Sequence, residues 1–286
     1  MREVCKLIGD NVVNMVEFSS ISDLVSYLKE AKTTTWFEGR EKSREENYAR
    51  TKFTGTKTFS EAMGMLENGW YEEAKKIEDE LSVEKRNMFN KDEVKFIQSV
   101  AGFHPIVPNY LMGLPNSMVS SKIVAKKQKV VTLNLSISFS AIVSANEIED
   151  VCIKALRIVK SIESKGCRVN FNVFFASKEP DYATGHIRYS TIKLRVKNAN
   201  ERLNVSKVCF PVVHPSMLRR IFFRVVETSP IFTREFVYGY GIAMSNNELA
   251  SMYKDIMKGE YIIPTKTYGN RSSTKAEDMF DNLIKV

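Results

Sequence analysis

The stretch that decides the fold is Val130-Val131-Thr132-Leu133-Asn134-Leu135-Ser136-Ile137-Ser138-Phe139. It is β-branched and apolar almost throughout, which is typical of a strand buried on both faces of a sheet. An amphipathic pattern follows over residues 148–162, with a capping box at 144–147 before it and Gly166 after it. Residues 168–176 then form a second apolar run. Strand, helix and strand within about 45 residues predict a βαβ unit with parallel strands.

The C-terminal half continues in the same way. Residues 190–197 alternate apolar with basic side chains, which predicts a half-exposed edge strand protected by its charges. A helix is predicted after Pro215, with three arginines on or beside its solvent face: Arg219, Arg220 and Arg224. A capping box at 245–248 predicts another helix, and residues 261–264 a last strand. We expect an α/β protein with an open, mostly parallel sheet and helices on both faces.

The N-terminal half has a different pattern. Helical spacing of apolar residues predicts helices over 21–28 and from Thr58 to Leu81. Residues 38–52 carry dense charge of both signs, which predicts a solvated helix or loop rather than a nucleic-acid-binding arm. Residues 102–115 contain three prolines, which predicts an irregular segment in which His104 is structural. We therefore predict a mainly helical region over 1–129, an α/β domain over 130–268 and a C-terminal tail over 269–286.

Charge supports a division near residue 129. The chain of 286 residues has 42 basic and 34 acidic side chains, a net charge of +8 and an isoelectric point near 9.1. Residues 1–129 carry 20 basic and 19 acidic side chains, so nearly all the positive excess follows residue 129. The composition excludes a disordered protein, and its four scattered cysteines favour a reducing cytoplasm without disulfides or a zinc module. We expect neither a signal peptide nor a membrane span.

The end of the first strand resembles the von Willebrand factor A family, an integrin I-domain-like and Rossmann-like fold. Asn134, Ser136 and Ser138 match the D-x-S-x-S of that family, and the second strand ends Phe174-Phe175-Ala176-Ser177, as the family's does. The resemblance covers roughly residues 130–265. It implies a metal-ion-dependent adhesion site in which Ser136 and Ser138 contribute oxygens to Mg²⁺. Asn134 replaces the family's aspartate and residues 238–244 offer no carboxylate, so the site is degenerate and tight Mg²⁺ binding is not expected.

Other segments resemble uncharacterised tailed-bacteriophage proteins. They are Gly69-Trp70, residues 102–108 and residues 210–220, and the resemblance implies a phage-encoded protein in the host cytoplasm. The last segment contains His214, directly before the helix that carries Arg219 and Arg220, so these three side chains are further candidates for partner or ligand binding. A packing role for His214 at the helix entry is the alternative.

No catalytic motif accompanies these features: the chain has no P-loop, G-x-S-x-G, H-E-x-x-H or carboxylate cluster. We therefore predict a non-enzymatic module that binds a protein partner through the loops at the strand carboxyl ends. The alternative is a nucleic-acid-binding protein that uses the basic surface of the C-terminal half. Its candidate contacts are Arg188, Lys193, Arg195, Lys197, Arg202 and Lys207.

Overall fold

A computed structural model describes residues 1–9, 11–39, 41–44, 53–82, 93–124, 129–139, 143, 145–180, 185–232, 240–254, 256–263 and 284–285. The strands are β1 (Arg2–Ile8), β2 (Asn11–Phe18), β3 (Glu93–Ser99), β4 (His104–Pro105), β5 (Met118–Val124), β6 (Val130–Ser136), β7 (Arg168–Pro180), β8 (Ile187–Lys197), β9 (Ile242–Ala243), β10 (Tyr261–Ile263) and β11 (Ile284–Lys285). The α-helices are α1 (Ile21–Glu30), α2 (Phe59–Asn68), α3 (Tyr71–Ser82), α4 (Val107–Leu111), α5 (Ala145–Ser164), α6 (Val205–Val213), α7 (Phe223–Thr228) and α8 (Asn246–Tyr253). A π-helix, Met217–Phe222, leads directly into α7, and a 3₁₀ turn, Pro230–Phe232, follows it.

Most strands form one mixed sheet in the order β1-β2-β8-β7-β6-β10-β11, with β9 paired to β7. The β2–β8, β6–β7 and β6–β10 pairs are parallel, and the β1–β2, β7–β8, β7–β9 and β10–β11 pairs are antiparallel. The predicted βαβ unit is confirmed, because β6, α5 and β7 follow one another and the strands pair in parallel.

The predicted fold class is wrong in two respects. The sheet is mixed rather than mostly parallel, and the chain begins with the β1–β2 hairpin rather than with a mainly helical region. Strand β2 then pairs with β8, so residues before and after position 129 share one sheet. The sequence feature that indicates this hairpin is Gly9, because the turn requires a positive φ, here +60°, which glycine adopts readily. Strand β2 is apolar on both sides because Val13 and Met15 face one core and Val16 and Phe18 the other.

Strand β8 is not an edge strand, which corrects the prediction for residues 190–197. It lies between β2 and β7, and its basic side chains are paired inside the protein. Lys193 forms an ion pair with Glu260 at 2.8 Å, and Lys197 forms one with Glu163 at 2.6 Å. Basic side chains that alternate along a strand are exposed only if no acidic residue from elsewhere in the chain pairs with them. Here Glu260 and Glu163 do so, and the two lysines are therefore buried.

The helix predicted from Thr58 to Leu81 is interrupted. Gly69 and Trp70 separate α2 from α3, and Gly69 adopts φ +93°. A Cβ at Gly69 would lie only 2.8 Å from the carbonyl oxygen of Ser206, so the backbone passes α6 at a distance that only glycine permits. The predicted capping boxes or caps at Ser20, Thr58 and Ser245 are present.

Two hydrophobic cores lie on opposite faces of the main sheet. The larger core joins the sheet to α1, α2, α5, α6 and the 217–228 helices, and the smaller one joins it to α8. Between residues 93 and 124, strands β3, β5 and β4 form a second, antiparallel sheet. Within the described residues, no helix is both long and apolar enough to cross a membrane.

Some predictions fall outside the described residues. They concern the cap at Ser144, the charged residues 45–52, Pro264 and most of the tail over 269–286.

Candidate functional site

A cleft opens where β6 leaves the main sheet. The last β6–β7 pair is Ser136 with Phe174, whereas β7 continues to Pro180 and pairs with β9 at Ser177 and Lys178. Among the described residues, no strand therefore fills the space between the end of β6 and strand β9. The resulting cleft has a volume of about 900 Å³ and is open to solvent on one side. This is the edge at which open α/β sheets commonly bind ligands.

Apolar and aromatic side chains form most of the cleft wall. They come from five separate parts of the chain: Phe53, Phe139, Phe175, Leu218, Phe223, Tyr240 and Ile242. The rings of Phe223 and Tyr240 stack with centroids 3.8 Å apart and planes 6° apart. Such walls suit the apolar part of a ligand, while a few polar groups fix its orientation.

Arg219 is the most unusual polar residue of the cleft. Its side chain is buried, with a residue exposure of 3%, and its guanidinium donates to the backbone carbonyls of Phe53 and Val143. The Cζ atom lies 3.8 Å from the centroid of the Phe53 ring. Burial lowers the pKa of Arg219 to about 10. Among the described residues no carboxylate forms an ion pair with this cation.

Arg219 was predicted on or beside a solvent-exposed helix face, together with Arg220 and Arg224, and this is wrong because all three are buried. Arg220 donates to the carbonyls of Ser43, Thr56 and Lys57 and so fastens the backbone at these three residues to the π-helix. The π-helix turns Arg219 and Arg220 inward, where backbone carbonyls from distant segments accept hydrogen bonds from their guanidinium groups.

Arg224 and Glu227 form an ion pair with almost no solvent exposure, at 3.4 Å. The Glu227 carboxylate also accepts hydrogen bonds from the backbone N–H groups of Lys42 and Ser43, at 2.9 and 3.0 Å, and from the Tyr240 hydroxyl. These contacts hold Lys42 and Tyr240, which both line the cleft, against the helix.

An ion pair also lies between two residues of the cleft lining. Lys178 on β7 donates to Glu248, which also accepts hydrogen bonds from the backbone and side chain of Ser245 at 2.8 Å. Although partial burial raises the pKa of Glu248, the hydrogen bonds from Lys178 and Ser245 lower it overall. With Lys42 and Arg219, the described lining therefore holds three basic side chains and one carboxylate.

The predicted Asn134, Ser136 and Ser138 lie together at the end of β6, but the structure does not arrange them for Mg²⁺. The Oδ1 atom of Asn134 accepts from Asn172 at 2.8 Å, and its Nδ2 donates to Glu260 at 2.8 Å. The hydroxyl oxygen of Ser138 accepts from the Ala176 N–H at 2.7 Å. Asn134 does not fit a cation ligand, because its amide oxygen already accepts from Asn172 and its nitrogen faces Glu260. Among the described residues, no cluster of three or more His, Cys, Asp or Glu side chains could hold a metal.

Asn134 instead belongs to a polar network across one sheet face. Asn172 accepts from Arg195 Nε at 3.2 Å, and Glu260 joins Asn134 to Lys193. The network lines the smaller core and gives two buried amides and a buried lysine their partners. Ser138 alone of the three motif residues lines the cleft.

His214 lies away from the cleft, in a packed position. Its Nδ1 accepts from the Ser216 N–H at 3.1 Å, and its ring contacts those of Trp70 and Phe210. Burial lowers the pKa of His214 to about 4. These contacts favour packing at the helix entry, which was the alternative to partner or ligand binding for His214 in the sequence analysis.

The six nucleic-acid candidates differ in their exposure to solvent. Arg202 and Lys207 are exposed and Arg188 and Arg195 are half-buried, whereas Lys193 and Lys197 are buried in the ion pairs described above. The two buried lysines are unavailable to phosphates without breaking those pairs.

The sequence did not reveal most of the cleft. Phe53, Phe175, Lys178, Phe223 and Tyr240 come from distant segments, and no spacing along the chain links them. One signal was present: Phe175 and Lys178 lie on β7 just beyond its last residue paired with the parallel strand β6, where side chains gather in such sheets.

Comparisons with known proteins add a family but no activity. No curated protein and no solved structure matches the chain, so the resemblances to von Willebrand A domains and to phage proteins stay predictions. One family model matches residues 6–284, nearly the whole chain. The chain therefore belongs to the family described as Domain of unknown function (DUF7192).

Proposed function

We propose that this chain is a non-enzymatic binding module whose strand-end cleft holds an acidic segment of a protein partner. The observation that carries the proposal is Arg219, a buried cation at the cleft with no carboxylate partner among the described residues. All four cysteines are free thiols, which fits a protein acting in the reducing cytoplasm.

The charge of Arg219 requires compensation that its present contacts do not supply. The carbonyls of Phe53 and Val143 accept hydrogen bonds, but neither carries a formal charge. A buried cation is costly unless it is paired, so an incoming carboxylate offsets a cost that the free protein bears. Guanidinium groups bind carboxylates through two parallel hydrogen bonds, which favours an acidic side chain or chain terminus as the bound group.

Other groups at the cleft favour the same ligand charge. Ser138 accepts a hydrogen bond from Ala176, and among the described residues its own hydroxyl hydrogen has no acceptor, so it is free to donate to an anion. Lys42 is exposed on the cleft wall, and Lys178 forms its ion pair with one carboxylate among the described residues, that of Glu248. The local potential is therefore positive, which attracts an acidic partner.

The apolar wall defines the rest of the ligand. Phe139, Phe175 and Phe223 border the same space as Arg219. A volume of about 900 Å³ accommodates several side chains but not a folded domain. The cleft is open on one side, so a chain segment can place one acidic and one or two aromatic side chains inside and continue outside.

A peptide-binding measurement tests the proposal. The probe is a fluorescein-labelled hexapeptide of alternating Asp and Phe, and its control is the same peptide with Asn in place of Asp. We expect the full chain to bind the acidic peptide more tightly by about tenfold or more, because one charge-assisted hydrogen bond contributes about 1.5–3 kcal/mol.

Matched variants locate the contact. Arg219→Gln should remove the preference for the acidic peptide, whereas Arg202→Gln, which removes the same charge from an exposed position, should retain it. Circular dichroism melting checks that both variants fold. Equal binding of the two peptides, no binding of either, or an unchanged preference in a folded Arg219→Gln variant would contradict the proposal.

A further inference from the structure

The segment 93–124, called the arm below, has a composition unlike the rest of the surface. It comprises β3, β4, α4 and β5, and among the described residues its strands pair only with one another. Large apolar side chains on it are exposed: Val94, Phe96, Ile97, Val100, Phe103, Val107, Tyr110, Leu111, Met112 and Leu114. Apolar surface of this extent marks a site that another protein covers.

Strand β3 is the free edge of the arm. It is seven residues long and pairs with β5 on one side only, within the part of the chain that the structure describes. Its other side presents a row of backbone N–H and C=O groups, which is a template for pairing with another strand. Three of its side chains are apolar and exposed: Val94, Phe96 and Ile97.

The length and centre of β3 allow it to pair antiparallel with its own copy along the whole strand. Phe96 is the midpoint of Glu93–Ser99, so an antiparallel pair centred on Phe96 overlaps along the whole strand. This register places Phe96 opposite its own copy and Lys95 opposite Ile97. A register centred on Lys95 would oppose two like charges, which is destabilising, and would shorten the overlap.

We propose that a second copy of this chain pairs with the arm, β3 against β3, in an antiparallel register centred on Phe96. The two three-stranded sheets then join into one six-stranded sheet about a twofold axis, which gives the self-complementary interface of a closed dimer. Phe96 packs against Phe103 within the arm, with ring centroids 5.9 Å apart. Pairing brings two such aromatic pairs together on one face, and aromatic cross-strand pairs stabilise sheets.

Sedimentation of the full chain tests the dimer. We expect a mass twice that of the chain, and loss of the dimer in Phe96→Lys, which opposes two charges at the axis. Leu111→Lys is the matched control, because it adds the same charge at an apolar residue that is 78% exposed but lies on α4. A monomeric wild-type chain at its highest soluble concentration, an unaffected Phe96→Lys, or dissociation by Leu111→Lys would overturn the proposal.

Disulfide trapping tests the register and does not depend on the Lys variant. Cys5 is an exposed free thiol, so the experiment uses a Cys5→Ser background. Phe96→Cys should form a covalent dimer on mild oxidation, because residues directly opposite in antiparallel strands have Cβ atoms about 4.5–5.5 Å apart. Val94→Cys should not, since its copies lie four residues apart along the paired strands. A covalent dimer of Val94→Cys but not of Phe96→Cys, or of neither variant, would exclude this register.

The dimer and the cleft stand on separate observations. Arg219→Gln should leave the dimer intact, and Phe96→Lys should leave the preference for the acidic peptide intact. Failure of one proposal can therefore be distinguished from failure of the other.

Discussion

The Arg219 guanidinium lies over the ring of Phe53, with Cζ 3.8 Å from the ring centroid, and also donates to the Phe53 carbonyl. The two residues are 166 positions apart in the chain. Their contact joins the π-helix to the segment before α2 and builds one wall of the cleft. Arg219 thus holds Phe53 in the cleft wall and also supplies the buried positive charge of that wall.

Acidification should destabilise the protein through His214. Burial lowers the pKa of His214 to about 4 in the folded protein, against an ordinary value of 6.5. Between these values the unfolded chain binds a proton that the folded chain does not, so stability falls as the pH drops through this window. The loss approaches about 1.4 kcal/mol per pH unit.

Urea denaturation across this pH range measures the effect of His214. In His214→Asn, whose side-chain oxygen can still accept from Ser216, the dependence on pH should become shallower. His104→Gln, at an exposed position, serves as control and should keep the wild-type slope. A wild-type slope in His214→Asn would assign the acid sensitivity to other groups.

Removal of the Glu227 charge should strongly destabilise the fold. In Glu227→Gln, the remaining oxygen can still accept from the backbone N–H groups of Lys42 and Ser43, but the amide nitrogen that replaces Oε2 cannot accept from the Ser43 hydroxyl, and Arg224 loses its buried anion. We expect a loss of about 3–5 kcal/mol in unfolding free energy by chemical denaturation.

Glu248→Gln makes the same chemical change at the cleft rim, where the carboxylate is 33% exposed. We expect a cost of at most about 1 kcal/mol, since exposed ion pairs contribute little and Gln can still serve in a capping box. If both variants lost the same unfolding free energy, burial would not explain the contribution of the Arg224–Glu227 pair to stability.

Two glycines five residues apart in the chain, Gly64 and Gly69, should respond in opposite ways to alanine. Gly69→Ala should cost at least about 1 kcal/mol, because φ is +93° and the new Cβ would meet the Ser206 carbonyl oxygen at 2.8 Å. Gly64→Ala should stabilise by about 0.5–1 kcal/mol, because Gly64 lies inside α2 with nothing within 4 Å of the added Cβ. Thermal melting of both variants compares them, and stabilisation by Gly69→Ala would contradict the close approach to α6.

Restoring the aspartate of the D-x-S-x-S pattern should weaken the protein. In Asn134→Asp, a carboxylate would face Glu260 in place of the amide that now donates to it at 2.8 Å. We expect a loss of about 2–3 kcal/mol near neutral pH, and a smaller loss at mildly acidic pH, where one carboxyl group takes a proton.

Asn172→Asp is the matched control for that change. It introduces the same charge on the neighbouring strand, but beside Arg195, whose Nε already donates to Asn172 at 3.2 Å. The loss should therefore be smaller than in Asn134→Asp when both are measured by urea denaturation. A larger loss in Asn172→Asp would mean that the network depends on its amide donors rather than on charge.

The sequence by itself determined the features that depend on neighbouring residues. The β6–α5–β7 unit, the helix caps at Ser20, Thr58 and Ser245, and strand β10 follow from local periodicity and capping, and the structure contains them. The ligand site that the sequence predicts at the end of β6 stays a prediction, and Ser138 alone of its three motif residues lines the cleft.

Only the tertiary structure decided the strand order and the environment of the charges. Strand β2 reaches β8 across more than half of the chain, and no local pattern encodes that pairing. Lys193, Lys197 and Arg219 carry the same charge in the sequence as any exposed basic residue. Their burial depends on Glu260, Glu163 and the Phe53 carbonyl, which folding brings to them from distant segments. Charge can be counted from a sequence, but its burial and pairing are properties of the fold.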